Sequence, residues 1–395
     1  MKTLLIIALC LILVGSAIFL LVVCFTDGGF KEIFTGNGTE TVKNVTDSFD
    51  SIEIDTDTAN ITLLPSDDGS CKVVSYDVKK IKYEVSVVDG ALRIKATDER
   101  RWFERLFSFC NATLEIYLTE NAYSSLSIDE DTGNISVPND FSFKNVDIDL
   151  STGNTELCAS VSNSVSINGS TGDVRVNNIG CGSLSVEVST GDVYLENVEC
   201  RGDINIGVST GDIELKNVIS ANLRTEGDTG DLYVKALNSS GNLSVKRTTG
   251  KVTIEDATVI GDITTETDTG NTTLTSIDCK GDVRITVTTG KSVLSDTSCR
   301  NLITVGNSGR IEMTDVIASG KFDIERSTGN VIFTRCDALE ITVLTDTGDV
   351  RGSLLSEKIF FYETDTGDVD LPETLGGGKC KITTDTGDIN ITVGN

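Results

Sequence analysis

Apolar and polar residues alternate along most of the chain, and a short recurring signature organises the alternation. The signature is a Thr-Gly pair, relaxed once to Ser-Gly, that occurs fourteen times from Gly133 to Gly387 at intervals of 19 or 20 residues. The residue seven positions before each glycine is apolar in every copy, and the residues five before, two after and four after it are mostly apolar. Side chains on a strand alternate between its two faces, so this spacing predicts two short strands per repeat, joined at the Thr-Gly turn.

Strand pairs of this length cannot bury their apolar face alone, whereas stacked copies cover one another. The sequence therefore predicts an all-β fold, a β-solenoid of about 14 rungs over residues 126–395. An apolar spacing of two excludes helical repeat arrays, and propeller blades need about 40–50 residues each. Glycine is expected to supply the unusual φ at each turn, while the neighbouring Asp, Ser or Thr bonds the turn backbone.

An imperfect earlier rung precedes the regular series. With Ala59 in the place of the glycine, Ile52, Ile54, Ile61 and Leu63 fall on all four apolar positions. The stretch from residue 66 to about 125 then breaks the pattern and predicts further strands, with a hairpin turn at Asp89-Gly90. We interpret residues 49–125 as this rung together with a small β cap that covers the first open edge.

The far end of the series has no comparable cover in the sequence. The last rung carries Ile389, Ile391 and Val393 and is followed only by Gly394 and Asn395. An open strand edge favours pairing with another chain, so self-association through this C-terminal edge is predicted.

The N-terminal region differs from the rest. Lys2 is followed by the 23 uncharged residues Thr3–Phe25, long enough to cross a bilayer as one helix. We predict a transmembrane anchor or uncleaved signal in residues 1–26 and a juxtamembrane linker in residues 27–48. The alternatives are a cleaved signal peptide and a lipoprotein that carries its lipid on Cys24. The positive charge of Lys2 favours an inside N-terminus, which places the bulk of the chain outside the cytoplasm, in the cell envelope.

Composition limits the chemistry. The chain has 33 basic and 60 acidic residues, a net charge of −27, and no histidine. Such an acidic surface disfavours nucleic acid as a partner, and the missing histidine removes Ser-His-Asp and Cys-His catalysis. Asp-Thr-Gly is also the aspartic-protease motif, but here it recurs in register within a repeated turn, which favours a structural role. We predict that the chain is not an enzyme and carries no obligatory cofactor.

Acidic columns are the one candidate for metal chemistry. Stacking of the repeats would bring the Asp residues that flank successive turns to about 5 Å from one another. Calcium accepts such oxygen ladders, so a Ca²⁺ site is one hypothesis. A solvated acidic edge with locally hydrogen-bonded Asp is the alternative. The candidate ligands near the C-terminus are Asp346, Asp349, Asp365, Asp368, Asp385 and Asp388.

Cysteines recur in one column of small residues, nine positions after the glycine. Cys181 and Cys200 fall on adjacent rungs, as do Cys279 and Cys299. Rung spacing permits a disulfide in such a pair, but buried free thiols that fill small spaces are the favoured interpretation.

Several of these segments resemble one bacterial family. Phe49–Ile54, the stretch 83–94 with Asp89-Gly90, and units such as Ser189–Leu195 are similar to the putative-adhesin family of cell-surface β-strand-repeat proteins. The resemblance covers roughly residues 49–393 and implies a non-enzymatic envelope protein with adhesion, envelope-stress or scaffold roles.

The resulting function hypothesis is a membrane-anchored, extracytoplasmic binding or structural surface, with a cell-wall polymer, a cationic peptide or another protein as candidate partners. The alternatives are an envelope-stress accessory that binds cationic peptides and a carbohydrate-active β-helix enzyme. The enzyme would need an irregular rung with paired carboxylates, and the sequence contains none.

Overall fold

The structure, a computed structural model, describes residues 39–77, 81–98 and 112–394. These residues form 32 β-strands and no helix, so the predicted all-β fold is confirmed. None of the described residues lies in a helix with the length and hydropathy to span a membrane. The predicted anchor in residues 1–26 lies outside the described residues.

The chain forms two compact units. The cap unit comprises Met1–Asn121 and Ser127–Ser136, and the repeat unit comprises Ala122–Leu126 and Val137–Asn395. Of the fourteen signature glycines, Gly133 belongs to the cap unit, which leaves thirteen turns in the repeat unit rather than the predicted 14.

The cap unit contains the predicted early rung. Its strands are β1 (Thr39–Val45), β2 (Ser51–Pro65), β3 (Cys71–Asp77), β4 (Ile81–Val88), β5 (Ala91–Asp98) and β6 (Ala112–Leu118), with most of β7 (Ala122–Thr132) and β8 (Ile135–Val137). The four predicted apolar positions of β2 are all at most 2% exposed. β5 and β6 pair with β2 in parallel and form a further rung beside it.

Antiparallel strands cover the outer side of that further rung. β4 pairs with β5, β3 pairs with β6, and β1 pairs with β3, all antiparallel. The predicted hairpin turn joins β4 to β5, with Asp89 and Gly90 at φ 53° and 78°. These antiparallel strands are the described part of the segment for which a β cap was predicted.

The repeat unit is a parallel stack. Its strands are β9 (Ser142–Thr152), β10 (Thr155–Leu157), β11 (Ser160–Thr171), β12 (Val174–Cys181), β13 (Ser183–Thr190), β14 (Val193–Cys200), β15 (Ile204–Thr210), β16 (Ile213–Ser220), β17 (Leu223–Thr229), β18 (Leu232–Ser239), β19 (Leu243–Thr249), β20 (Val252–Val259), β21 (Ile263–Thr269), β22 (Thr272–Cys279), β23 (Val283–Thr289), β24 (Ser292–Cys299), β25 (Leu302–Ser308), β26 (Ile311–Thr328), β27 (Val331–Thr347), β28 (Val350–Leu354), β29 (Lys358–Thr366), β30 (Val369–Asp370), β31 (Gly378–Thr386) and β32 (Ile389–Val393). Equivalent positions of successive repeats face each other, as Val186, Ile206 and Thr225 do. The predicted register is confirmed.

Besides the Thr-Gly turn and the turn at the opposite end of the rung, nine successive rungs bend at a third position that the sequence pattern did not reveal. At the Thr-Gly turn, Gly270 has φ +154°, and a Cβ there would lie 1.8 Å from the carbonyl oxygen of Gly250. Six positions after the glycine, nine successive rungs carry a non-glycine residue with positive φ: Asn178, Asn197, Asn217, Ala236, Asp256, Ser276, Asp296, Asp315 and Arg335. This corner shifts the burial phase, so that β14 buries Val193 and Leu195 and then Val198 and Cys200. Asn and Asp tolerate the left-handed region better than most residues, which explains their frequency here.

The order of the last rungs departs from chain order. The second half of β27 pairs with β31, and β31 pairs with β29; likewise β28 pairs with β32, and β32 with β30. The final rung, β31 and β32, is thus inserted between its two predecessors. The prediction of an open edge is wrong for Ile389, which has a strand on both sides. Ile391 and Val393 pair with β28 alone, so no strand of the described chain lies on their other side. The outermost strands are β29 and β30, which we call the terminal rung.

Candidate functional site

The Asp residues that follow the turn glycines form a hydrogen-bonded ladder. The backbone N–H of Asp192 donates to Oδ1 of Asp173 at 3.1 Å, Asp212 donates to Asp192 at 2.8 Å, and Asp231 donates to Asp212 at 2.7 Å. Each carboxylate therefore receives an amide from the next rung, which partly offsets the repulsion between stacked charges. We call this column the turn ladder.

The six candidate calcium ligands extend the same columns across the inserted rung. The N–H of Asp388 donates to Oδ1 of Asp349 at 3.1 Å, and the N–H of Asp368 donates to Oδ1 of Asp388 at 2.9 Å. Asp346, Asp385 and Asp365 lie two residues before the same turns and are exposed. Within the described residues, no three His, Cys, Asp or Glu side chains converge closely enough to hold a metal ion. The calcium site stays a prediction.

A second ladder runs along the opposite turn of each rung. The N–H of Asn242 donates to Oδ1 of Asn222, that of Asp262 to Asn242, and that of Asp282 to Asp262, each at 2.8 Å. Because amide and carboxylate oxygens serve equally as acceptors here, neutral Asn alternates with Asp. Hydrogen bonding to the neighbouring rung accounts for the recurrence of these side chains in the repeat.

Three buried charged side chains, which the sequence pattern did not predict, share one column three residues before the turn glycine. Glu130, Arg247 and Arg326 occupy it, and each is only 1% exposed. Arg326 donates to the carbonyl oxygen of Val287 at 3.0 Å and to Oγ of Ser292 at 2.7 Å, and burial lowers its pKa to about 10. Burial also lowers the pKa of Arg247, none of whose guanidinium nitrogens has a hydrogen-bond partner among the described residues.

A sequence signal for these arginines does exist. In the same column one rung earlier stand Gly227 and Gly306, and a Cβ at either would lie within 1.8 Å of Nη1 of the arginine above it. A glycine that is followed one repeat later by an arginine in the same column thus indicates that the guanidinium packs against the backbone of the glycine. These groups are shielded from solvent, so they stabilise or shape the core and do not form a surface site.

The structure corrects the cysteine prediction for one pair. Cys181 and Cys200 form a disulfide across adjacent rungs, with their Cα atoms 4.7 Å apart. The favoured free-thiol interpretation is therefore wrong for this pair, since register partners in a parallel ladder lie within bonding reach. It holds for six further cysteines of the described chain: Cys71, Cys158, Cys279, Cys299, Cys336 and Cys380.

These free thiols are poor nucleophiles. Burial raises the pKa of Cys299 to about 12 and that of Cys336 to about 11. The thiolate is the reactive form of cysteine, so such thiols stay protonated and inert near neutral pH.

The model of the family described as Toastrack DUF4097 matches residues 49–241. No curated protein gives a significant match. Among solved structures, a putative adhesin from Bacteroides fragilis is 11% identical, covers 90% of this chain and 97% of its own, and superposes with a TM-score of 0.27.

Two further solved structures are similar at the same low level. A putative adhesin from Parabacteroides merdae is 13% identical, with 74% of this chain and 98% of its own covered and a TM-score of 0.25. A putative lipid binding protein from Parabacteroides distasonis is 14% identical, with 90% and 98% covered and a TM-score of 0.17. The family match, which includes the early rung and the first regular repeats, confirms the resemblance seen in the sequence: residues 49–241 are similar to the Toastrack family DUF4097.

Proposed function

We propose that this chain is a membrane-anchored, extracytoplasmic β-solenoid that acts as a non-enzymatic, adhesin-like binding or structural surface. One observation carries the proposal: polar side chains outside the core form columns over successive rungs, as the turn ladder does from Asp173 to Asp231. Rungs in a sheet lie about 4.8 Å apart, so such columns offer an extended row of similar groups. A row of this kind suits a repeating or elongated partner better than a single small substrate.

The charged groups with unusual surroundings also favour a structural interpretation. The turn-ladder carboxylates accept neighbouring amides, and Arg326 and Glu130 are shielded from solvent. These charged side chains bond to the neighbouring rung or lie in the core, which supports a scaffold rather than a reaction centre.

The disulfide supports a location outside the cytoplasm. Cystines persist in oxidising compartments and are rare where cellular thiols keep proteins reduced. The bond between Cys181 and Cys200 therefore agrees with the orientation predicted from Lys2 and the uncharged segment Thr3–Phe25. Membrane attachment itself rests on that segment of the sequence.

Fractionation of cells that express the full chain tests the proposal. We expect the protein in membranes after an alkaline wash, cleavage by protease added outside spheroplasts, and protection of Cys181 and Cys200 from alkylation before reduction. A variant that lacks residues 1–26 is the control and should leave the membrane fraction. A protease-resistant protein with reduced Cys181 would contradict the proposed location.

Binding of cationic peptides is the second candidate function, and the charge of −27 favours it. The test is salt-dependent binding of a polylysine probe to the full chain. Replacing Asp192, Asp212 and Asp231 by Asn keeps the Oδ1 acceptors of the turn ladder but removes three negative charges. This variant should fold normally and bind more weakly, whereas binding that ignores both salt and these substitutions would exclude the idea.

A further inference from the structure

The terminal rung leaves one strand edge unpaired. β29 pairs with β31 along its inner edge, and no strand of the described chain lies along its outer edge. The core columns reach solvent there: Tyr362 is 58% exposed, while Ile382, its register partner one rung inward, is 0% exposed. The next column repeats the contrast, with Val369 at 36% and Ile389 at 0%.

Exposed apolar side chains concentrate at this rung. Fifteen large hydrophobic residues of the described chain are exposed, and six of them lie within the 21 residues from 355 to 375. They are Leu355, Ile359, Phe361, Tyr362, Val369 and Leu375. Exposed apolar side chains that are concentrated in one part of a protein surface are typical of an interaction site.

We propose that the terminal rung binds the terminal rung of a second copy of this chain, with β29 antiparallel to its counterpart. The free N–H and C=O groups of such an edge form a template for pairing with another extended strand. A two-fold axis along the sheet normal keeps the inward side chains of both strands on one face. Tyr362 of each copy is then covered by inward side chains of β29 of the other.

The charges along the edge favour this antiparallel orientation. Lys379 and Lys381 flank the first half of β29, beside Ile359 and Phe361. Glu363 and Asp365 lie in its second half. Antiparallel pairing brings the basic half of one copy beside the acidic half of the other, whereas parallel pairing would stack acid on acid.

The rest of the surface discourages other contacts between copies. With a net charge of −27 per chain, two molecules repel over most of their surface, and the mainly apolar core cross-section at the terminal rung is an exception. A two-fold contact is closed, so assembly stops at the dimer. The contact is a single strand pair with its side chains, and we expect a dissociation constant on the order of micromolar.

Sedimentation equilibrium of the full chain in density-matched detergent tests the proposal over a range of concentrations. We expect a monomer–dimer equilibrium that Tyr362→Lys weakens by about tenfold or more, because the new charge would be buried at the contact. The matched control is Ile219→Lys, which adds the same charge at an exposed apolar residue of β16, far along the stack, and should leave the equilibrium unchanged.

Hydrogen exchange locates the contact. On dimerisation the amides of β29 should exchange more slowly, and those of β16 should not change. A chain that stays monomeric at all concentrations, a dimer that Tyr362→Lys does not weaken, or growth beyond the dimer would each overturn the proposal. Association through the membrane segment would give the second of these results.

Discussion

The outermost rung of the cap unit is covered by further strands, whereas the outermost rung of the repeat unit is not. In the cap unit, β4 and β3 lie antiparallel against β5 and β6, and Ile81 and Tyr83 of the covering strand β4 are at most 5% exposed. In the repeat unit, no strand of the described chain pairs with the outer edge of β29, and Tyr362 is 58% exposed. Identical parallel rungs always leave another edge, so ending a stack requires strands that do not repeat the pattern.

Among the described residues, the cap unit and the terminal rung each bury one charged side chain, and the two charges have different partners. Glu130 of the cap unit accepts hydrogen bonds from the N–H groups of Ala59 and Thr132 at 2.9 and 3.1 Å, and from the hydroxyl of Thr56. Lys358 of the terminal rung instead contacts Asp337, with Nζ 2.6 Å from Oδ1. Burial raises the pKa of Glu130 to about 7, so this group makes the cap unit sensitive to pH.

The largest expected difference tests the order of the last rungs. Ile382→Ala should destabilise the repeat unit by about 2–5 kcal/mol, because it opens a cavity between two covering rungs. Tyr362→Ala should cost less than about 1 kcal/mol, since that side chain is already largely exposed. The measurement is the denaturant midpoint at unchanged slope. If the rungs instead followed chain order, the ranking of the two variants would reverse.

The next largest effect is the pH dependence of the cap unit. The folded-state pKa of Glu130 lies above its ordinary value of 4.5, so its contribution to stability is fully present below pH 4.5 and is lost as the pH rises through about 7. A shift from 4.5 to about 7 corresponds to at most about 3 kcal/mol. Glu130→Gln should remove this loss, measured as the difference in unfolding free energy between pH 4.5 and pH 8.

The control for that experiment is Glu84→Gln, at an exposed position of β4 in the same unit. It removes one carboxylate without touching the buried site, so the pH profile should keep the shape found for the unchanged chain. Equal profiles for the two variants would show that overall charge, rather than Glu130, sets the pH dependence.

A smaller effect is expected from the buried ammonium of the terminal rung. Lys358→Met keeps the apolar stem but removes the ion pair with Asp337. Asp337 retains the N–H of Ala338 and the hydroxyl of Ser356, each at 2.9 Å, so we expect a loss of about 1–2 kcal/mol. A double-mutant cycle with Asp337→Asn measures the coupling, and a coupling near zero would show that the pair does not stabilise this region.

The sequence predicted most of the stack because burial repeats with a period of two. Positions such as Leu195 and Ile254, four residues after the turn glycine, are predicted apolar and are at most 1% exposed. The early rung could be found in the same way, since Ile61 and Leu63 keep the spacing although Ala59 replaces the glycine.

The order of the last rungs could not be predicted from the same pattern. The turns at Gly348, Gly367 and Gly387 are 19 and 20 residues apart, like all the others, so spacing does not distinguish an inserted rung from a sequential one. The connection at residues 371–377, with Pro372 and two glycines, is the local irregularity that permits the chain to return.

The candidate site was predicted less well, because similar side chains serve different purposes. Asp recurs beside the turns whether it binds a metal or accepts an amide, so the sequence alone does not separate these roles, and the structure adds the hydrogen bonds of the turn ladder. Buried Arg247 and Arg326 lie on the same strand face as the two apolar positions before them, but they were not recognised because a charged side chain is rarely buried.

The smallest expected effect concerns calcium at the turn ladder beside the terminal rung. Oδ1 of Asp349 and Oδ1 of Asp388 already accept backbone amides, and a Ca²⁺ ion usually takes six to eight oxygen ligands. We therefore expect the unfolding midpoint of the full chain to be the same in Ca²⁺ as in a chelator, at fixed ionic strength. A bound ion at 100 times its dissociation constant would add about 2.7 kcal/mol, so even a weak site is measurable. A calcium-dependent rise in the unfolding midpoint that Asp349→Asn and Asp388→Asn abolish would establish the metal site. The stability of the rungs beside the terminal rung would then depend on calcium.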